Sequence, residues 1–183
     1  MRNLILLTIS LLVNLQLIGQ SKIQYLTNDG AWCWFSDPRA VYVDNRIYTG
    51  WVKSDGTIEA AILDLDSGKI NFSELYFKLE KDDHDNPAFT VTKSGDIIAM
   101  YTRHSKKDLF INRLKDYQNN NEYTNAQLIH PMSQEELVKF PREHVAYANP
   151  YCLKKENNRI YCFGRWTGFK PNMMWSDDDG ISW

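Results

Sequence analysis

His84 and His104 are the residues whose types and spacing most directly suggest chemistry. His84 sits within Asp82-Asp83-His84-Asp85-Asn86-Pro87, and His104 follows Tyr101-Thr102-Arg103. Between them, Lys93-Ser94-Gly95-Asp96 reads as a turn. Gly supplies a positive φ, while Ser and Asp bond the local backbone. The flanks are rich in Phe, Val, Ile, Thr and Tyr, which suit strands. Folding this hairpin about position 94 sets position 84 opposite position 104. The two imidazoles then meet at the open end, with carboxylates around one and Arg103 beside the other. Imidazole titrates near neutral pH and can take or give a proton, so the pair is a candidate acid–base centre. The plainer alternative is a loop histidine bonded to its neighbouring carboxylates.

Other elements must hold that hairpin in place. Ala40–Val43, Arg46–Val52, Thr57–Leu63 and Lys69–Phe72 read as four short strands separated by polar turns, which makes one antiparallel sheet. The scheme recurs in strands beginning Arg46-Ile47-Tyr48, Asp96-Ile97-Ile98 and Arg159-Ile160-Tyr161. A hairpin returning every roughly 50–60 residues predicts an all-β fold, a β-propeller of four-stranded antiparallel blades. A β-sandwich is the other arrangement of such strands, but it does not require the recurrence. Leu109–Arg113 continues the second blade, and the Asn-rich stretch from Lys115 to Tyr123 reads as a loop. Ser133-Gln134-Glu135-Glu136 is a capping box that opens a short helix ending before Pro141. Residues 114–146 are therefore expected to be an insertion between blades, of the kind that walls a site. The last hairpin runs Tyr147–Leu153, turns at Glu156-Asn157-Asn158 and returns through Arg159–Arg165. Folded about position 157, it sets Cys152 against Cys162 and puts Tyr147 and Arg165 on one face.

Composition narrows the partners. A chain of 183 residues that is 43% hydrophobic and 13% aromatic can bury a core. Its net charge of −2, with the signs mixed, offers no basic stripe for nucleic acid. Arg2, the apolar run Leu4–Val13 and the small or polar Gly19-Gln20-Ser21 read as a signal peptide over residues 1–20. That run is too short to span a bilayer, and no later segment could cross one. Residues 21–183 are thus expected to be secreted or periplasmic and monomeric. Three cysteines leave at least one unpaired, and Cys152 and Cys162 are either bridged or two buried thiols. No CxxC spacing or cofactor motif is present, and no metal or cofactor is expected. Trp32, Trp34 and Trp51 are assigned to the core rather than to sugar platforms.

The chain closes on Ser176-x-Asp178-x-Gly180-x-Ser182-Trp183, which resembles the Asp-box of sialidase-type propellers. There the Asp accepts backbone N–H bonds, Gly takes a positive φ and Trp packs inside. Trp32–Ala40, Gly50-Trp51-Val52, Asp82–Ala88, Tyr101–His104, Tyr147-Ala148-Asn149-Pro150 and the Asp-box are arranged as in the BNR-repeat propeller family of secreted bacterial proteins. The resemblance covers about Asn28 to Trp183. This family includes, or is close to, the propeller ulvan lyases, which cut a sulfated algal polysaccharide beside a uronic acid. With about three blades in hand, the chain is expected to be the N-terminal part of such a propeller.

The resemblance implies roles for particular residues. His84, His104 and Tyr147 are the implied catalytic residues, with Tyr151 as the alternative tyrosine. Arg165, Asn86 and Arg103 are the implied substrate-binding residues. Asp85 stands between His84 and Asn86, where the family pattern has His-Asn directly. The partner implied is an acidic, uronate-containing glycan. Cutting it by β-elimination needs a cation or strong donor for the carboxylate, a base for the neighbouring proton and an acid for the leaving oxygen. Arg matches a carboxylate bidentately, neutral His or ionised Tyr can be the base, and Tyr can be the acid. The rival readings are a non-catalytic glycan-binding propeller and a sialidase-type hydrolase. Against the hydrolase stand a single Asp-box and the lack of an Arg-Ile-Pro motif near the start.

Overall fold

The computed structural model of the chain describes residues 25–31 and 33–183, so the expected signal peptide and Trp32 lie outside the described residues. Three antiparallel sheets follow one another in sequence. The first holds β1 (Ala40–Val43), β2 (Arg46–Val52), β3 (Ile58–Asp64) and β4 (Ile70–Tyr76). The second holds β5 (Ala88–Val91), β6 (Ile97–Arg103), β7 (Asp108–Leu114) and β8 (Gln127–Ile129). The third holds β9 (Ala146–Leu153), β10 (Arg159–Arg165) and β11 (Pro171–Ser176). Strand order within each sheet follows the chain, and β5 lies beside both β1 and β9. These are propeller blades with their first strands at the inner edge, and the recurring Arg/Asp-Ile strands are β2, β6 and β10.

Strand alternation builds the two seams between blades. In β6, Ile97, Ala99 and Tyr101 face the first blade and pack with Tyr48, Ile58 and Phe89. Ile98 and Met100 face the third blade and pack with Ile160, Cys162 and Trp166. A strand buried on both faces reads as an unbroken apolar run. Each such side chain contributes about 1.5–3 kcal/mol when fully buried. The β5–β6 register pairs Ala88 with Met100 and Val91 with Ile97, the pivot at position 94 expected from the turn residues. Gly95 has φ +83° there.

Two expectations need correction. β8 pairs with β7, so the second blade has a full four strands and the insertion begins after Ile129 rather than at 114. Its helix, α1 (Gln134–Lys139), carries the expected capping box on Ser133 and Glu136. The third hairpin pivots at position 156 rather than 157, which shifts the cross-strand partners of Arg159–Phe163 by two residues. Ile160 faces Cys152, and Cys162 faces Pro150. The cause is the turn, in which a short 3₁₀ segment over Lys154–Glu156 is followed by left-handed Asn157 and Asn158. Cys152 and Cys162 therefore do not meet, and Cys33, Cys152 and Cys162 are all free thiols. Among the described residues no helix is long and apolar enough to cross a membrane.

The Asp-box forms as its residues require. Asp178 Oδ1 accepts the N–H groups of Ile181 at 3.2 Å and Ser182 at 2.9 Å, and Gly180 has φ +80°. Trp183 packs against the second seam. Asp179 then ties the motif to the second blade by accepting the N–H groups of Lys93 and Ser94, each at 3.2 Å.

Candidate functional site

Asp82 organises the open end of the β5–β6 hairpin. It caps a 3₁₀ turn over Asp83–Asp85 by accepting the His84 N–H at 2.9 Å. Its Oδ1 also lies 2.6 Å from His84 Nδ1, and its Oδ2 lies 2.8 Å from His104 Nδ1. The two rings stack with centroids 4.1 Å apart and planes 16° from parallel. Burial opposes the Asp82 charge. The hydrogen bonds from His104 and His84 outweigh it and hold the carboxyl below the usual range. An ionised carboxylate only accepts, so Nδ1 is the protonated nitrogen on both rings. His104 Nε2 in turn accepts from Arg165 Nη2 at 3.2 Å, because a guanidinium can only donate. On neutral His84, Nε2 keeps its lone pair.

The third blade brings its residues over this pair by a distortion. Tyr147 has φ +66°, and the β9–β10 register shifts between Phe163 and Arg165, pairing Arg165 with Ala146. A bulge of this kind re-aims a side chain. Gly164 permits it, since a Cβ there would lie 2.3 Å from the Tyr147 carbonyl oxygen. The Tyr147 ring consequently sits 5.3 Å from His84, and the Arg165 guanidinium lies over Tyr147 at 5.4 Å and over Phe169 at 4.9 Å. Burial raises the Tyr147 phenol above its ordinary range, although Arg165 opposes the shift. Tyr147 is thus a neutral phenol at neutral pH and a proton donor. Sequence reasoning expected Tyr147 and Arg165 on one face; the bulge brings them into contact.

The structure does not bring every expected residue here. Asn86 is only 5% exposed. Its Oδ1 accepts the Val52 N–H and its Nδ2 donates to the Ala31 carbonyl, so it ties the site's turn to the first blade instead of facing a substrate. Arg103, the last residue of β6, is half-buried, and its buried Nε has no hydrogen-bond partner. Tyr151 is two residues further along β9 than Asn149 and packs on Phe163 instead. Trp51 is buried as expected, but Trp34 is 73% exposed and not part of the core. Trp34, Phe35, Tyr147, Arg165, Phe169 and Lys170 line an open cavity of about 420 Å³.

Three further residues take roles here that the sequence did not assign to them. Asp82 was one of three carboxylates beside His84, and only the hairpin's closure makes it the anchor shared with His104. His144 stands edge-on to His104 at 6.4 Å, brought there by the insertion. Glu136 bonds the Ser133 N–H through Oε2 and the Thr167 hydroxyl through Oε1, which joins α1 to the loop between β10 and β11. The acceptor atoms of Asp82, His84 and His104 lie within 4.8 Å of one another. At 2.6 and 2.8 Å the Nδ1–carboxylate spacings are those of hydrogen bonds. As hydrogen-bonded, the three side chains form a triad centred on the Asp82 carboxylate. A larger cavity of about 770 Å³ lies beside the Asp-box, lined by Arg113, Asp96 and Asp179 among others, and holds no imidazole.

Residues 46–175 match a family described as BNR repeat-containing. No curated protein matches the chain. Among solved structures, a PL25 ulvan lyase bound to -[GlcA(1-4)Rha3S]- superposes with a TM-score of 0.61 at 11% identity, over 87% of this chain and 40% of that one. A further PL25 ulvan lyase structure gives a TM-score of 0.60 at 11% identity, again over 87% and 40%. The polysaccharide lyase Uly1 gives 0.52 at 12% identity, over 86% of this chain and 42% of that one. The likeness is one of fold, and the chain spans about 40% of the length of the ulvan lyases it matches.

Proposed function

This chain belongs to the BNR repeat-containing family, and from that membership we propose that it is a lyase-like protein that cleaves a uronate-containing glycan by β-elimination. The observation that carries the reading is one cluster: His84 and His104 fixed through Nδ1 by Asp82, facing Tyr147 beneath Arg165. His84 Nε2 takes the proton from the carbon that bears the carboxylate. The electron pair left behind forms the new carbon–carbon double bond as the glycosidic C–O bond breaks. Tyr147 gives its proton to the departing oxygen. Arg165 stabilises the charge that builds on the carboxylate, and His104 holds the guanidinium in place through Nε2. The exposed Trp34 and Phe169 beside Arg165 suit sugar faces, which also supports a binding propeller without catalysis. Arg2, the apolar run Leu4–Val13 and Gly19-Gln20-Ser21 support a leader, and with it a site of action outside the cytoplasm.

Near-ultraviolet absorbance during incubation with ulvan and other polyuronates tests the reading, because elimination leaves a conjugated double bond and hydrolysis does not. The expected result is a rise in absorbance that His84→Ala abolishes. Glycan retention without any rise, unchanged in His84→Ala, would instead establish the binding propeller.

A further inference from the structure

Behind the imidazoles lies a second pair of acids. Asp85 is 0% exposed. Its Oδ1 accepts the His104 N–H at 2.8 Å, while its Oδ2 is buried with no partner able to donate to it. Glu80 is the carboxyl in side-chain contact with Asp85, and its Oε2 accepts the next amide, Ser105 N–H, at 3.0 Å. The two acids therefore take consecutive backbone N–H groups of the turn that carries His104. Two carboxyls in contact, one of them fully buried, resist carrying two charges at once.

We propose that Asp85 and Glu80 share one proton, carried on Asp85 Oδ2 and donated to Glu80, and that this neutral Asp85 carboxyl is the positioning residue for His104. The proton turns the orphaned Oδ2 into a donor, which removes an otherwise unexplained buried polar atom. It belongs on Asp85, the more buried of the two. Burial first, then the charges of Glu80 and Asp82, push the Asp85 carboxyl up to about 9. Glu80 stays below its usual range despite burial, because Ser105 donates to it. The groups facing Asp85 are Glu80 and Asp82 from its own segment and the His104 amide from the turn after β6. No cation forms an ion pair with Asp85 among the described residues. The His104 task rests on the lyase reading; the shared proton does not.

Asp85→Asn tests this directly, since an amide is the isostere of the protonated acid: its NH₂ donates to Glu80 and its oxygen accepts from His104. The sign follows from the raised value. A carboxyl higher in the folded than in the unfolded chain stabilises fully below about pH 4, and the benefit fades as pH rises towards about 9. Thermal unfolding between pH 5 and 9 should therefore fall more steeply in the wild-type chain than in Asp85→Asn. The His104 ring resonances, followed by NMR, should match wild type in Asp85→Asn and move in Asp85→Ala. Parallel melting profiles for wild type and Asp85→Asn overturn the shared proton. Unmoved His104 resonances in Asp85→Ala overturn the positioning role. Neither outcome depends on turnover, so a failure of the lyase reading stays distinguishable.

Discussion

Asp82 and Asp178 each organise a turn by accepting nearby backbone N–H groups, yet only one of them reaches beyond its own turn. Asp178 bonds the amides of Ile181 and Ser182 and the hydroxyls of Ser176 and Ser182, all within one motif. Those donors, Ser182 first, bring its carboxyl down to about 2. Asp82 accepts one amide of its own turn and then grips two imidazoles, one of them across the hairpin. A carboxylate whose acceptors are all committed locally yields stability. One that keeps acceptors free for the next strand arranges chemistry.

That contrast can be broken experimentally. The largest effect is expected on the Asp82 side. His84→Ala or Tyr147→Phe should lower kcat on a polyuronate about 10²–10⁴-fold while leaving the urea unfolding curve nearly unchanged. Asp82→Asn keeps an oxygen for the His84 amide but loses the charge that fixes both Nδ1 protons. It should lower kcat by about 10–100-fold, read from initial rates, with little loss of stability. On the Asp178 side the order reverses. Asp178→Ala should cost about 1 kcal/mol of stability after allowance for solvent exposure, and leave kcat untouched. An equal loss of turnover in Asp178→Ala and Asp82→Asn would erase the distinction.

Acid should expose the same difference more gently. Asp178 has its folded value below the unfolded one, so its contribution is present above about pH 4 and is lost as pH falls towards about 2. Melting temperatures at pH 5 and 2.5 should converge for wild type and Asp178→Asn at the lower value. The smallest effect is none at all: a thiol reductant should leave the melting temperature where it is, since the third blade is held by its ladder and not by a disulfide.

The parts legible in the sequence were those fixed by local geometry. Ser94-Gly95 sets the β5–β6 turn, so the meeting of His84 and His104 followed from counting. The Asp-box and the Ser133–Glu136 capping box are likewise complete within a few residues. The third hairpin was not legible, because two left-handed asparagines and a bulge at Gly164 alter the count in ways composition does not reveal. β8 is short, and two of its three residues, Gln127 and Leu128, are exposed, so it lacks the alternation that marks a strand. Trp34 was misjudged because a tryptophan's type says nothing about which side of a loop it occupies. The site itself was half readable. Its rings could be named, but not the Asp82 anchor, the edge-on His144 or the loss of Asn86 to the first blade, all of which depend on contacts between distant segments.

Glu136 carries a consequence in time as well as in space. One of its oxygens closes the first turn of α1, and the other holds Thr167, in the loop that carries Phe169 of the aromatic cavity. That loop cannot swing away from the carboxylate without surrendering a bond to the helix end, which couples the opening of the two. Hydrogen exchange at the opening turn of α1 should then keep pace with that of the loop that carries Phe169.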